Sequence, residues 1–202
     1  MGAEIHKYET IVAPDELREN CYLFWCAETL AAAVIDPGCP ARVVLTRAAA
    51  LGLRIGVILL THGHHDHIGA AAAVREATGA AVCVHAADEP LLGARGLKAD
   101  RLLNDGDVVP VGRTALRVIH TPGHTPGGLC FYAAGILFSG DTLFHTDVGY
   151  THFPGGSADD LARSIREKLY VLDEATVVLP GHEESTTIGE EKYHNLCVRC
   201  QD

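Results

Sequence analysis

Long apolar runs are absent from this sequence, and none approaches the roughly 18 residues that a membrane-spanning helix needs. The N-terminal residues also lack the basic stretch and apolar core of a secretory signal, so we expect none. Basic side chains are scarce, with 16 Lys and Arg against 26 Asp and Glu, which gives a formal charge of −10. This balance argues against a surface that binds nucleic acid or an anionic membrane. We therefore expect neither as a partner.

A disulfide framework is missing as well. The seven cysteines are an odd number without a scaffold spacing, in a chain of 202 residues that can bury a core without staples. Reduced thiols and a cytoplasmic location are the expectation. The pair Cys197-x-x-Cys200 has no second CxxC beside it, which favours two free thiols over a metal or redox site. No repeat, charge block or low-complexity linker divides residues 1–202, so we predict a single domain.

Short apolar runs alternate with Ala-rich or amphipathic stretches, a pattern typical of an α/β fold. Strands are predicted over residues 21–26, 30–36, 54–60, 81–85, 114–119, 129–132, 136–138 and 176–179. Helices are predicted over residues 41–51, 68–78, 159–170 and near 190–195, with residues 88–107 as a loop with short turns. The continuous apolar run at 54–60 predicts a strand buried on both faces. Ser157 and Asp160 resemble a capping box at the start of a helix.

Histidine is the residue in excess, with 12 copies in a chain that has one Met and one Trp. Seven of the histidines and two aspartates fall in four short segments that each follow a predicted strand. These segments are THGHHDH (61–67), HTPGHTPGG (120–128), FSGDTLF (138–144) and LPGHEE (179–184). Loops at strand ends are where α/β folds collect functional side chains, because a rigid sheet fixes them in space. Each segment therefore strengthens the interpretation of the others as parts of a functional site.

The first segment gives the strongest indication of metal binding. His62 and His64 alternate across one residue, and Asp66 and His67 follow at once. Imidazole and carboxylate suit Zn, Fe or Mn, and a short loop can direct several of them at one point. The alternative is a solvated polar loop before a helix, but five ionisable groups in six residues would be unusual there.

The other candidate ligands are ambiguous when taken singly. His124 stands between two Thr-Pro steps, where prolines and glycines would hold its ring in place, yet it could be an ordinary turn histidine. Asp141 and His182 each follow a glycine, and either could simply cap a turn.

Together the motifs resemble the metallo-β-lactamase superfamily, whose signature is HxHxDH followed by a distant His, Asp and His. The resemblance runs from NCYLF (20–24) and VIDPG (34–38) to PGHEESTTIGEEKYHN (180–195), nearly the whole chain. Within that superfamily, GHTPGG, FSGDTLF and FPGG (153–156) are similar to the short glyoxalase II-like hydrolases. The resemblance implies an α/β fold, the αβ/βα four-layer sandwich, with metals at one edge of two packed sheets.

The resemblance also implies a set of metal ligands, position by position. The implied ligands of the first site are His62, His64 and His124, and those of the second are Asp66, His67 and His182. Asp141 would bridge two divalent ions, with zinc expected first and iron or manganese as alternatives.

Two departures from the glyoxalase II-like pattern concern the substrate. Tyr150 stands where that family has a basic residue that helps to hold glutathione, and His152 stands at a position that is often acidic. We predict Tyr150 and His152 as substrate contacts. The sequence also stops soon after His182, without the C-terminal helical domain of the longer glyoxalase II enzymes.

The chemistry implied by the resemblance is hydrolysis of a small-molecule thioester or related ester. A metal-bridging hydroxide would attack the carbonyl, one metal would polarise its oxygen, and the other would stabilise the leaving thiolate. Asp66 would orient the hydroxide and take its proton. No Ser or Cys nucleophile is required.

Other functions stay open at this point. A persulfide dioxygenase would hold one Fe(II) with His62, His124 and Asp141, and a lactone or other ester hydrolase would use the same fold. A bridging aspartate argues against a β-lactamase, and the charge of −10 argues against the nuclease branches. A metal that only stabilises the fold is the non-enzyme alternative, although closed structural sites are mostly Cys-rich.

Overall fold

Apolar strands build two mixed sheets that position the site, as a computed structural model of residues 5–14 and 16–199 shows. The strands are β1 His6–Val12, β2 Asn20–Cys26, β3 Ala31–Ile35, β4 Arg54–Leu59, β5 Ala81–His85, β6 Arg101–Leu103, β7 Val108–Val111, β8 Thr114–His120, β9 Leu129–Ala133, β10 Ile136–Gly140, β11 Val177–Pro180 and β12 Thr186–Thr187. The helices are α1 Ala41–Ala50, α2 His65–Ile68, α3 Ala71–Thr78, α4 Glu89–Gly93, α5 Ala158–Ser164 and α6 Ile188–His194. A π-helical turn, Ile165–Leu169, continues α5.

Each sheet has six strands. The first has the order β1-β2-β3-β4-β5-β6 and the second the order β12-β11-β10-β9-β8-β7. In the first sheet β1, β2 and β3 are antiparallel, whereas β3 to β6 are parallel. In the second sheet β7 to β10 are antiparallel, β10 and β11 are parallel, and β12 is antiparallel to β11.

The core lies in three layers of apolar side chains. Between the sheets, Phe24 of β2 packs edge-on against Phe138 of β10 with ring centroids 5.9 Å apart, and Phe131 of β9 lies in the same cluster. A second cluster lies between the first sheet and helices α1 and α3, and a third between the second sheet and α5. Helices therefore cover the outer face of each sheet, and the expected αβ/βα four-layer sandwich is confirmed.

Several predicted boundaries hold within two residues, and the helix start at Ser157 is confirmed. The Ser157 hydroxyl accepts a hydrogen bond from the backbone N–H of Asp160 at 3.3 Å. The prediction of one continuous helix over 68–78 is wrong, because α2 ends at Ile68 and a separate helix, α3, begins at Ala71. The backbone N–H of Ala70 donates to the carbonyl of Pro37 at 2.7 Å, a long-range bond that interrupts the helix.

Residues 88–107 are more regular than the predicted loop, since they contain α4 and the parallel edge strand β6. Strands β1 and β7 were also not predicted. Each lies at the edge of its sheet and is defined by hydrogen bonds to one neighbouring strand, β2 for β1 and β8 for β7. The expectation that 54–60 is buried on both faces is wrong for its first half, where Arg54 and Gly56 are exposed. None of the helices in the described residues is both long and apolar enough to cross a bilayer.

Candidate metal centre

The first histidine segment leaves β4 at its carboxyl end, where the apolar strand gives way to Thr61 and His62. His62 and His67 are almost completely enclosed, with 1% and 0% of their surface exposed. His64 is half-buried, whereas His65 is exposed and turns away from the others. Asp66 and His67 of the short helix α2 therefore lie in the site, whereas His65 at the start of that helix faces solvent.

Three segments of the second sheet bring the other predicted ligands to the same place. His124 lies in the loop after β8, Asp141 directly follows β10, and His182 lies just beyond β11. Strand β9 is antiparallel to both β8 and β10, and β10 is parallel to β11. The three carboxyl ends therefore lie at one edge of the sheet, opposite the loop that follows β4.

His62, His64 and His124 form a first cluster, which we call the three-histidine group. One ligand atom from each lies within 4.8 Å of the others. Nε2 of His124 is 2.9 Å from Nδ1 of His64. Nitrogen ligands of a tetrahedral zinc ion lie about 2.1 Å from the ion and hence about 3.4 Å from one another. The observed spacing suits a single divalent ion.

Asp66, His67 and His182 form a second cluster, which we call the aspartate-histidine group, again with ligand atoms within 4.8 Å of one another. Nε2 of His182 is 3.3 Å from Nε2 of His67 and 3.4 Å from Oδ2 of Asp66. Asp141 lies between the two groups. Its Oδ2 is 3.5 Å from Nε2 of His124, and its Oδ1 is 3.3 Å from Nε2 of His67.

Hydrogen bonds on the outer side of the rings determine which nitrogen faces the cluster. Nδ1 of His124 donates to the carbonyl of Tyr150 at 2.6 Å, and Nδ1 of His182 donates to the carbonyl of Leu17 at 2.9 Å. A carbonyl oxygen only accepts, so Nδ1 carries the hydrogen in both rings. In the neutral form of each ring, Nε2 then presents a lone pair to the cluster, and this is the form that binds a metal.

Asp36 orients two further rings, and the sequence analysis did not single it out. Its carboxylate accepts a hydrogen bond from Nδ1 of His67 at 3.0 Å and another from the Thr61 hydroxyl. Because Thr61 uses its only hydrogen there, its oxygen accepts from Nδ1 of His62 at 3.0 Å. Asp36 has a φ of +47°, a left-handed conformation that Asp tolerates better than most residues. The motif VIDPG carried this residue, but its partners lie 25 and 31 positions away.

Two buried polar atoms of predicted ligands lack hydrogen-bond partners. They are Nε2 of His62 and Oδ1 of Asp141. In the described part of the chain, only a few buried side-chain polar atoms lack a hydrogen-bond partner. A buried polar atom without a partner is costly unless something binds it. A divalent cation would satisfy a ring nitrogen and a carboxylate oxygen together, so the donor set fits a metal.

The electrostatics of His62, His64 and Asp66 agree with this fit. Burial, reinforced by neighbouring histidines, lowers the pKa of both His62 and His64, so these rings are neutral at pH 7. Burial alone would raise the pKa of Asp66, but the hydrogen bond from His182 and the charge of His67 outweigh it. The net effect is a lowered pKa, which keeps the Asp66 carboxylate ionised. Neutral imidazole and ionised carboxylate are the ligand forms that metal binding needs.

Glu19 is a second buried acid that the sequence did not indicate. Only 1% of its surface is exposed, and neither carboxyl oxygen has a hydrogen-bond partner. Burial raises the pKa of Glu19 to about 10, with a smaller opposing effect from His67. The side chain is therefore a neutral carboxylic acid at pH 7, and it lies beneath the ligand loop.

The predicted substrate contacts lie on the open side of the three-histidine group. Tyr150 and His152 are exposed, with ring centroids 5.5 Å apart, and His152 packs on Phe153 at 4.5 Å. Phe153 in turn meets the His64 ring edge-on at 5.1 Å. The sequence analysis missed Phe153, although it lies in the FPGG motif. Together these rings form an aromatic wall beside the cluster.

Cys197 is the one terminal cysteine that the structure describes. Cys197 is an exposed free thiol whose sulfur lies 3.3 Å from Oδ1 of Asp147. Cys200 lies outside the described residues, so the expectation that Cys197 and Cys200 are two free thiols stays a prediction.

Comparison with known proteins identifies the family. Residues 14–182 match the Metallo-beta-lactamase superfamily. The hydroxyacylglutathione hydrolase GloC of Haemophilus influenzae is 35% identical over 202 residues, which cover 92% of this chain and 95% of that protein.

Solved structures share the fold closely. BLEG-1, a B3 metallo-beta-lactamase, superposes with a TM-score of 0.88 at 34% identity, covering 94% of this chain and 98% of that one. ETHE1 from Myxococcus xanthus gives 0.83 at 32% identity, with 95% and 84% covered. TTHA1623 in a di-iron-bound form gives 0.81 at 35% identity, with 93% and 98% covered. The fold and its His/Asp groups imply divalent metal ions, and the chain belongs to the metallo-β-lactamase superfamily.

Proposed function

We propose that this chain is a metal-dependent hydrolase that cleaves a small acyl thioester, of the S-hydroxyacylglutathione or a related type. The observation that carries the proposal is the meeting of two ligand groups at Asp141, with unpartnered buried atoms on His62 and Asp141. The similarity to GloC, a hydroxyacylglutathione hydrolase, supports a thioester as the substrate.

The proposed cofactors are two divalent ions, zinc first, with iron or manganese as alternatives. The three-histidine group would hold one ion, the aspartate-histidine group would hold the other, and Asp141 would contact both. The di-iron form of TTHA1623 supports the number and keeps iron in consideration. When bound, the ions would supply a hydroxide nucleophile at neutral pH and polarise the carbonyl.

Asp66 is the chain's own candidate for proton handling, and we propose it as the catalytic residue. Its carboxylate is ionised, its side chain is 17% exposed, and one oxygen is directed at His182. The carboxylate can therefore accept a hydrogen bond from a water molecule in the cleft and orient that water towards a substrate carbonyl.

Tyr150 and His152 are the proposed substrate contacts, joined by Phe153. Residues 142–162 contain no Lys or Arg, so the aromatic wall offers ring faces rather than a cation to the substrate. The Phe153 ring borders the three-histidine group. A thioester whose carbonyl lies at the ligand cluster would therefore contact the aromatic wall with the rest of its chain.

A mononuclear iron persulfide dioxygenase is the second candidate. The geometry that favours it is the approach of His124 Nε2 to Asp141 Oδ2 at 3.5 Å, with His62 completing a His-His-Asp set. Lactone or other ester hydrolysis would use the same ligands as the thioesterase. The similarity to BLEG-1 adds a β-lactam to the substrates that should be assayed.

We also propose a single domain over residues 1–202 and a cytoplasmic location. The shared apolar layer between the two sheets supports the first, and the buried free thiols, such as those of Cys21 and Cys83, support the second.

The test of the proposed function separates these reactions in one preparation. Protein loaded with zinc or iron is assayed for thiol release from S-lactoylglutathione and simpler acyl thioesters, and for oxygen uptake with glutathione persulfide. Hydrolysis of a lactone and of a β-lactam is measured in the same preparation. Thiol release without oxygen uptake supports the thioesterase. Oxygen uptake without thiol release would replace it with the dioxygenase. Asp141→Asn should abolish whichever activity is found.

A further inference from the structure

Asp88 is a buried acid outside the ligand set, at the junction between β5 and α4. None of its surface is exposed. Its carboxylate nevertheless accepts three hydrogen bonds. Oδ2 accepts from the backbone N–H of Gly63 at 3.0 Å and from the Thr125 hydroxyl at 2.8 Å, and Oδ1 accepts from the backbone N–H of Gly127 at 2.8 Å.

The three donors belong to the two loops that carry the three-histidine group. Gly63 lies between the two histidines of the loop after β4 in the first sheet. Thr125 directly follows His124 in the loop after β8 in the second sheet, and Gly127 lies two residues further. The Asp88 carboxylate therefore connects, by hydrogen bonds, two loops that come from different sheets. A backbone bond from Leu129 to the carbonyl of Thr61, at 2.7 Å, also joins them.

Both glycines pack against the Asp88 segment too closely for any side chain. A Cβ on Gly127 would lie 2.5 Å from Oδ1 of Asp88. A Cβ on Gly63 would lie 2.6 Å from Cβ of Leu91 and 3.0 Å from the carbonyl oxygen of Asp88. The glycines in these two ligand loops thus let the backbone N–H groups reach the carboxylate.

We propose that Asp88 is a positioning residue that assembles the three-histidine group before a metal binds and so sets the affinity of that group. The inference rests on the proposed function, because it needs a metal at the site. Without the carboxylate, binding would have to order two loops from separate sheets, and that ordering would oppose binding. Metal sites depend in this way on the groups that orient their ligands.

Asp36 and Asp88 then have separate tasks. Asp36 bonds directly to His67 and, through Thr61, to His62. Asp88 bonds to no ligand side chain in the described structure and acts through the backbone and Thr125.

The experiment measures zinc affinity rather than activity. A His182→Ala background removes a ligand of the aspartate-histidine group, so zinc titrated against a chromophoric chelator reports on the three-histidine group. In that background, Asp88→Asn replaces one carboxylate oxygen, a hydrogen-bond acceptor, with an NH₂ group. This group faces a donor of the ligand loops, so at least one hydrogen bond is lost. We expect the Kd of this variant to rise roughly 10- to 100-fold. Thr125→Val removes one donor at nearly constant volume and should raise Kd by a smaller factor, about 3- to 10-fold.

Asp100→Asn is the matched control. Asp100 also accepts a backbone N–H, from Val82 at 2.9 Å, and an Arg75 hydrogen bond, but it contacts neither ligand loop in these bonds. Its substitution should leave the Kd within about twofold of the parent, since neither of these hydrogen bonds reaches a ligand loop.

The outcomes are separable. If Asp88→Asn lowers the unfolding temperature of the metal-free protein but leaves Kd unchanged, Asp88 is a structural residue only and the proposal is wrong. If Asp88→Asn does not fold, Thr125→Val decides, and an unchanged Kd there overturns the proposal. If the native chain binds no zinc or iron at all, the proposed function fails as well. Normal binding by the native chain with unchanged variants defeats this inference alone.

Discussion

The carboxylate of Asp36 and Nδ1 of His67 lie 3.0 Å apart, and both side chains are buried. Burial lowers the pKa of His67, but the charges of Asp141 and Asp36 outweigh that effect and raise the pKa to about 10 in the metal-free protein. The interior at this ring is therefore strongly favourable to positive charge. A cation bound at the site would benefit from the same field.

Substitution of Asp36 should weaken metal binding without unfolding the chain. In Asp36→Ala, His67 and Thr61 lose their acceptor, and we expect metal affinity or turnover to fall roughly 10- to 100-fold. Asp36→Asn should recover part of the loss, because Asn keeps an acceptor oxygen and tolerates the left-handed backbone. Zinc titration and turnover measure both variants. The remote substitution Asp107→Asn, which affects a turn acceptor for Asn104, should change neither quantity. Equal affinity in native protein and Asp36→Ala would contradict this role.

Metal removal should lower the thermal stability of the protein. The ligand cluster contains buried atoms without hydrogen-bond partners, and a bound cation would satisfy them. At a free metal concentration of 100 times Kd, binding contributes about 2.7 kcal/mol. For a domain of this size, that corresponds to a Tm difference of roughly 5–10 °C. Calorimetry with and without a chelator gives the value, and an unchanged Tm would mean that the cluster holds no metal.

Glu19 should make the metal-free protein less stable as the pH rises. Its pKa is about 10 in the folded chain against 4.5 ordinarily, so the folded state keeps a proton that the unfolded state releases. The contribution to stability is complete below pH 4.5 and is lost progressively as the pH rises towards 10. Glu19→Gln cannot ionise and should remove this dependence.

Urea unfolding in chelator at pH 5 and pH 8 compares the native protein with Glu19→Gln. We expect the variant to gain at least about 1 kcal/mol relative to the native chain between the two pH values. A difference that is the same at both pH values would show that Glu19 is ionised in the fold.

Phe153 should contribute to substrate binding rather than to chemistry. Its ring is 41% exposed and lies 5.1 Å from His64 and 6.0 Å from His124, so it borders the space above the ligands. Phe153→Ala should raise KM for an acyl thioester about fivefold, the equivalent of about 1 kcal/mol of contact, with kcat nearly unchanged. Val171→Ala removes a remote apolar side chain that is 70% exposed and should leave KM unaltered. A fall in kcat with constant KM would place Phe153 in the chemical step instead.

The elements with strong local signals could be predicted from the sequence. The buried strand β2, the helix α1 and the cap at Ser157 depend on neighbouring residues, and each was found close to its observed position. Edge strand β6 could not be found, because it is defined by pairing with β5 rather than by its own three residues. The break after α2 likewise depends on a bond from Ala70 to distant Pro37.

The segments that carry the candidate ligands could be predicted because each segment follows a strand, and the topology brings these strand ends to one edge. Their supporting residues could not. Asp36 meets Thr61 across 25 positions, and Asp88 meets Gly127 across 39. Asp36 lies in the VIDPG motif, but the sequence alone does not show that its carboxylate meets Thr61 and His67, and Asp88 fell in a segment predicted as a loop. Only the folded arrangement shows what these carboxylates hold.

The most direct test of the account is thiol release by purified protein whose metal content has been measured in the same sample. We predict two divalent ions per chain, release of thiol from an acyl thioester, loss of that activity on chelation and recovery when zinc or iron is returned. Protein that holds two ions and cleaves no thioester in the panel would contradict the central claim.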